Sequence, residues 1–373
     1  MKEYDVNPTS TVGDDVELLE SEEQDRDYSP PSYDIVAYPA DYTLEGLVAK
    51  LQRGTIQPAG FQRRYVWKLP QASKLIESFL LGLPVPAVFL YTKPEDNSLL
   101  VIDGQQRLMS IRYFFEGYFG LPDESGKSTV FSLKGLSETS PYYDKTYNYL
   151  REHNETAFNK LNEAVLRAFI VKQLKPEDDT SIYHIFQRLN TGGTPLAGQE
   201  IRNCIYHGPL NDRLGELNQF APWRRVFGKN REDSRQRDVE LILRFLALFY
   251  NLNEYEKPMT DFLSRFMRKH QNASRQSLDN MSEVFKNTTT AVLELLGDRP
   301  FHIRAGINAA VFDSVYVAVA RHMIEAHQGS LRSRYDQLLK NDEFAKCVSS
   351  NTTDTEIVRK RVATVEEVVQ ATE

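Results

Sequence analysis

The sequence predicts an α+β domain followed by an all-helical one, and three observations carry that reading. Apolar runs short enough to be strands, AVFLYT (87–92), LLVI (99–102) and VLRAFIVKQL (165–174), all fall before residue 207. Amphipathic helical segments alternate with them over the same span. From about residue 209 onward strand signals nearly vanish and helical periodicity takes over. A chain of 373 residues, 41% hydrophobic and 26% charged, has material for two globular domains. The expected boundaries are 31–207 for the α+β domain and 208–373 for the helical one.

The first 30 residues stand apart. Residues 1–28 hold ten acids against Lys2 and Arg26, a net −8, so a chain of net charge −7 has a body near neutrality at +1. Few large apolar residues and the Pro30-Pro31 pair predict a disordered acidic tail over 1–30. It reads as a solubilising segment or, alternatively, as a nucleic-acid mimic for a basic groove. The neutral body neither requires nor excludes DNA. The N-terminus lacks a secretory pattern. No stretch approaches the roughly 20 apolar residues that span a bilayer. Cys204 and Cys347 lie far apart without CxxC spacing. The expectation is a cytoplasmic protein with reduced thiols, no structural zinc and no membrane partner.

Along 31–207 the elements follow in order. Leu44, Leu47 and Leu51 make an amphipathic helix over 43–53, capped by Thr43 or Asp41. A short extended piece, Thr55 to Pro58, leads into FQRRYVW (61–67). A helix over 70–82 starts with Pro70 and closes with Gly82. The runs 87–92 and 99–102 read as buried strands joined by a turn. After Asp103-Gly104 a helix presents Leu108, Ile111 and Phe115 on one face, and a Gly/Ser/Pro-rich loop covers 120–144. The strand candidate at 165–174 precedes a helix through 182–190, the turn Thr191–Pro195, and a further helix over 198–208. In the second domain helices are expected at 237–250, 259–270, 281–297 and 308–327.

The chemistry concentrates in LLVIDGQQRLMSI (99–111). A buried strand runs into Asp103-Gly104 and a helix begins at once, with Gln105, Gln106 and Arg107 in its first turn. The first N–H groups of a helix have no partner within it, and that end of the dipole is positive. With the Arg107 guanidinium this makes an anion site best matched to phosphate. Gln105 and Gln106 can orient a water or hydrogen-bond a nucleotide. Asp103 can hold Mg2+ through water. The same residues also read more plainly, with Asp103 an N-cap and Arg107 a surface residue. The turn is shorter than a Walker A loop and lacks its lysine.

Two further segments add to it. FQRRYVW (61–67) sets Gln62, Arg63 and Arg64 among aromatics on an extended stretch. Such a stretch can pair beside the motif strand and bring Arg63 to the same anion, or pack as an aromatic strand with its arginines in solvent. Arg188 to Gly193 is a helix end running into a flexible polar turn, or simply a glycine C-cap.

Taken in this order, the segments resemble the N-terminal domain of GmrSD-type modification-dependent restriction enzymes, of the ParB/sulfiredoxin-like superfamily. The matching stretches are FQRRYVW (61–67), LIESFLLGLPVPAVFLY (75–91), VIDGQQRL (101–108) and IFQRLNTGGTPLAGQEIRN (185–203), within roughly 40–250. The resemblance implies a ParB/sulfiredoxin-like fold for 31–207, nucleotide binding and often hydrolysis at the DGQQR turn, and defence against foreign, often modified, DNA. Carried over by position, the family-like functional residues are Gln62, Arg63, Asp103, Gly104, Gln105, Gln106, Arg107, Asn190 and Gly193.

Cleavage in such enzymes is the work of an HNH-like nuclease domain or partner, whose site needs a histidine with nearby metal ligands. Here His270, His302, His322 and His327 have no strand–loop–helix setting with paired ligands, and His322 and His327 miss the i, i+4 spacing. Between 223 and 275 an arginine-rich stretch, with Trp223 and Phe227 interleaved, reads either as a phosphate-contacting surface or as a salt-bridged helix face. Arg244, inside LILRFLALF, is expected to pair within the fold.

The resulting expectation is a nucleotide-binding, NTP-hydrolysing sensor of a restriction or anti-phage system. Its cofactors would be a nucleoside triphosphate, base unknown, and Mg2+; its partners, DNA and an HNH nuclease protein, with a homo-oligomer left open. The alternatives are a ParB-like nuclease acting alone and a non-catalytic module that clamps DNA phosphate.

Overall fold

The computed structural model describes residues 32–58, 65–94, 96–120, 128–175, 180–189, 196–303, 306–322 and 331–370. The acidic tail expected at 1–30 lies outside them. One unit spans Pro31–His207 and the other holds Gly208–Glu373. The first is mixed α/β and the second helical.

The first unit is built on a five-stranded sheet of order β1-β7-β3-β4-β2. Its strands are β1 (Asp34–Thr43), β2 (Ile56–Gln57), β3 (Val88–Thr92), β4 (Leu99–Asp103) and β7 (Val165–Lys175). β7 runs antiparallel to β1 and parallel to β3, while β4 is antiparallel to β3 and parallel to β2. The helices are α1 (Leu44–Gln52), α2 (Leu69–Leu81), α3 (Gln105–Glu116), α4 (Tyr147–His153), α5 (Glu155–Glu163), α6 (Thr180–Leu189) and α7 (Gly198–Ile205).

Strand alternation sorts the sheet into two faces. Val88 and Leu90 of β3, Leu99 and Val101 of β4, and Leu166, Ala168 and Ile170 of β7 join one core with α1, α2, α3 and α5. On the intervening positions Phe89 stacks on Phe169 at 5.3 Å. Helix α6 packs against β4. Local chemistry sets the helix ends: Thr43 accepts from the Gly46 N–H, and Gly82 closes α2 at φ 79°.

Parts of the first unit depart from the sequence expectation. β1 was not foreseen: DIVAYPADYT is an edge strand, exposed along most of its length, so it carries no period-2 apolar signal, yet it pairs with β7 from Asp34 to Thr43. Helices α4 and α5 are short and begin at polar caps, Thr146 and Asn154. The 120–144 loop does core work, burying Phe131, Leu133 and Leu136 and placing β6 (Thr129–Val130) beside β5 (Tyr118–Phe119).

The helical unit comprises α8 (Pro209–Asn218), α9 (Ala221–Phe227), α10 (Arg237–Asn251), α11 (Met259–His270), α12 (Arg275–Leu296), α13 (Ala309–His322), α14 (Leu331–Leu338), α15 (Asp342–Cys347) and α16 (Thr355–Gln370). Its core packs the rings of Trp223, Phe245, Phe285, Phe312 and Tyr316 together, with Trp223–Phe285 and Phe245–Tyr316 edge to face. Four arginines of the arginine-rich stretch have carboxylate partners. Arg224 pairs with buried Asp238, Arg237 with Asp233, Arg244 with buried Asp313, and Arg225 with Asp298. Trp223 and Phe227 are buried. These four arginines take the salt-bridged reading. No described helix is long and apolar enough to cross a membrane.

Candidate functional site

β4 delivers Asp103 to its carboxyl end, opposite Phe89 of β3. Gly104 then turns the chain at φ 97° and serves as the N-cap of α3. A Cβ here would lie 2.3 Å from Val88 Cγ1, so the close approach that demands glycine is to the neighbouring strand. Gly104 can therefore serve a ligand through its backbone only. No side chain caps this helix end, which leaves its positive pole for an anion.

Arg107 follows Asp103 by one helical turn. Its Nη2 donates to Asp103 Oδ2 at 2.7 Å and to the Ala87 carbonyl at 3.1 Å. Its Nε is buried and meets no hydrogen-bond acceptor among the described residues. The guanidinium is 18% exposed and the Asp103 carboxylate 41%. The plainer reading of the motif is not what the fold builds, since Gly104 is the N-cap and Arg107 is mostly buried.

Gln106 turns toward the other segment. Its Oε1 accepts from the backbone N–H groups of Val66 at 3.0 Å and Trp67 at 3.2 Å. The strand beside β4 is Ile56–Gln57, so the described end of the 61–67 stretch, residues 65–67, rests on α3 instead of extending the sheet. Gln62, Arg63, Asn190 and Gly193 lie outside the described residues. Arg188 sits in the last turn of α6, the helix that packs on β4. Gln105 begins α3 half-buried.

Residues 44–207 match the family model described as the GmrSD restriction endonuclease, N-terminal domain. Over that span the first unit is similar to GmrSD N-terminal domains. Among proteins of curated function, none matches the chain. The match to the GmrSD domain runs from α1 through α7 and stops where the first unit stops.

Within this domain, sequence reasoning missed two groups. Ser110 lies one turn after Gln106, accepts from or donates to the Tyr65 hydroxyl at 2.7 Å, and donates to the Gln106 carbonyl at 2.7 Å. Tyr65 packs edge-on against Tyr113 and Phe119, and burial pushes its hydroxyl up to about 12. The i, i+4 spacing of Gln106 and Ser110 was the available signal. In α7, Gln199, Arg202 and Asn203 are buried and linked, Arg202 Nε to Gln199 Oε1 at 2.9 Å and Gln199 Nε2 to Asn203 Oδ1 at 2.8 Å. Arg202 also lies over the Tyr183 ring. The close spacing of Gln199, Arg202 and Asn203 at i, i+3 and i+4 was that signal.

Proposed function

We propose that this protein is a cytoplasmic nucleotide-binding, NTP-hydrolysing sensor of a DNA restriction or anti-phage defence system, with DNA cutting left to an HNH nuclease partner. The observation that carries the proposal is the Asp103–Arg107 pair set at the uncapped N-terminus of α3. A half-exposed carboxylate beside a guanidinium with an unused N–H, at a helix's positive end, suits a phosphate and its cation. The domain match supports the defence context, and DNA is the macromolecular partner it suggests.

The donor set fits a triphosphate with Mg2+. Among the described residues no group of three His, Cys, Asp or Glu is placed to hold a metal. Magnesium beside phosphates is usually held by one or two carboxylates, with water and phosphate oxygens completing its shell, so Asp103 is the ligand this chain offers. When bound, the ion would neutralise phosphate charge and polarise the scissile anhydride.

The chain's own groups divide the remaining work. Asp103 holds Arg107 in place before any ligand arrives. Arg107 and the first N–H groups of α3 take up phosphate charge. Gln105, in the same turn, can orient the attacking water. Gln106 has its oxygen committed to two backbone donors, so only its NH2 remains to offer.

The deciding experiment incubates the purified chain with Mg2+, each NTP and plasmid DNA. The reading expects slow phosphate release and intact plasmid. Asp103→Ala with Arg107→Ala should end release while circular dichroism keeps its shape. Nicking that vanishes in this double variant would make the site a nuclease acting alone. DNA binding with neither hydrolysis nor nicking would leave a phosphate clamp.

A further inference from the structure

Strands β3 and β7 turn every second residue to the face of the sheet opposite the main core. Along that face one row is closed: Tyr91 of β3, its partner Val171 on β7 and its partner Leu100 on β4 are all buried. The next row is open. Phe89 and Phe169 are register partners whose rings stack at 5.3 Å and 24°, and both are only half-buried. Phe89 is the one residue of β3 that is not buried. Beyond Phe169 stands its partner Pro39 on β1, which is exposed. Two stacked aromatic rings thus keep part of their faces and edges in water beside a row that excludes it.

The open row leads to the candidate site. A register shift sets Leu90 opposite Val101 and Phe89 opposite Asp103, with Ile102 the extra residue of β4. Strict alternation from Leu99 and Val101, both core residues, would aim Asp103 into the core. The shift breaks that alternation at the last residue of the strand, and the Asp103 carboxylate is part-exposed. Asp103, Phe89, Phe169 and Pro39 therefore stand on successive strands of the sheet, β4, β3, β7 and β1. Neighbouring strands lie about 4.8 Å apart, so the strands of the two rings are roughly 5 and 10 Å from the strand of Asp103. A ribose and its first phosphates bridge such a span.

We propose that Phe89 and Phe169 form a shelf that stacks the base of the nucleotide whose phosphates are received by Arg107 and the N-terminus of α3. This role rests on the nucleotide reading of the site and adds to it a hold on the planar end of the ligand. Stacking engages the face of a heteroaromatic base and not its hydrogen-bonding edge. The shelf therefore adds affinity for nucleotides without choosing among bases.

The test measures equilibrium binding, with Mg2+ present, of three ligands: the tighter of non-hydrolysable ATP and GTP analogues, ribose 5-triphosphate, and inorganic tripolyphosphate. Wild type should hold the analogue about tenfold more tightly than ribose 5-triphosphate, which has the sugar and phosphates but no base. Phe89→Leu and Phe169→Leu should each lower analogue affinity about tenfold and leave tripolyphosphate affinity within about twofold. Phe169→Tyr keeps a ring to stack on and should stay within about threefold of wild type for all three ligands. Denaturant unfolding checks that the variants fold, and Phe89→Met, unbranched and adaptable, replaces Phe89→Leu if that variant does not.

An analogue bound no more tightly than ribose 5-triphosphate would mean that the base meets nothing, which overturns the shelf and spares the phosphate site. Unchanged analogue affinity in both leucine variants would overturn it as well. Equal losses for analogue and tripolyphosphate would make the rings a support of the phosphate end, again against the proposal. A wild-type chain that binds none of the three ligands would instead sink the nucleotide reading, and the shelf with it.

Discussion

Each unit holds an aspartate–arginine pair of nearly equal length, 2.7 Å for Asp103–Arg107 and 2.5 Å for Asp313–Arg244. Their surroundings differ. Asp313 is fully buried and shared by a second arginine, Arg361, which also donates to Ser314 Oγ and the Thr352 carbonyl. Three helices, α10, α13 and α16, meet on that one carboxylate. Burial and the nearby Arg244 pull the Arg361 guanidinium down to about 10, even with Asp313 opposing them. Asp103 keeps 41% of its side chain in solvent and, among the described residues, pairs with Arg107. The closed pair is a fastening within a core, whereas the open pair has oxygens and charge left for something else. Contact distance does not set the two pairs apart; exposure does.

The sharpest test of that contrast is at the closed pair. Asp313→Ala leaves two buried guanidinium groups without their carboxylate and should cost about 3–5 kcal/mol in denaturant unfolding. A loss below about 1 kcal/mol would mean that water reaches the arginines and the pair is not closed. Next in size is Gly104→Ala, which forces a side chain into the left-handed region and against Val88. We expect about 2–4 kcal/mol of destabilisation, with part recovered in the double variant carrying Val88→Ala. No recovery would show that φ alone, and not the strand contact, requires glycine. Smaller again is Asp103→Asn, which keeps an acceptor for Arg107 and removes only a half-exposed charge. Its stability should move by about 1 kcal/mol or less, while Mg2+-dependent nucleotide binding is lost. A large drop in stability would make the open pair structural after all.

The same contrast explains what could be read from the sequence. β3 and β4 were legible because they are buried and apolar, β7 because its apolar residues alternate toward the core, and the helices because their apolar faces repeat at 3.6 residues. β1 was not, because an exposed edge strand needs no apolar pattern. The DGQQR turn was visible as a strand–glycine–helix junction, but the division of labour inside it was not. Gln105 and Gln106 are equivalent in sequence, and only the fold aims one at Val66 and Trp67. The arginine-rich stretch was ambiguous for the complementary reason. Asp238, Asp298 and Asp313, which settle Arg224, Arg225 and Arg244, lie 14 to 73 residues away along the chain.

The smallest expected effect is on pH dependence, and it compares the two units through their tyrosines. Burial raises Tyr65 to about 12 in the first unit, and raises Tyr316 in the core of the second. In an unfolded chain both return to the ordinary value of 10.0. Between 10 and about 12 the unfolded chain therefore binds fewer protons at Tyr65 than the folded one, and the free energy of unfolding falls as pH rises. The contribution is fully present below pH 10 and fades through the window up to about 12. Thermal unfolding from about pH 9 to about pH 11 should show a falling midpoint in the wild type. Tyr65→Phe should flatten part of that fall and leave the rest, which belongs to Tyr316 and other buried phenols. Ser110 gives its one proton to the Gln106 carbonyl, so Tyr65 is the donor to Ser110 and deprotonation removes that hydrogen bond. Nucleotide affinity should accordingly weaken over the same window in the wild type and be already reduced, with a flatter pH profile, in Tyr65→Phe. An affinity profile identical in the two proteins would detach the Tyr65 hydroxyl from the site, leaving its ring contacts as its whole contribution.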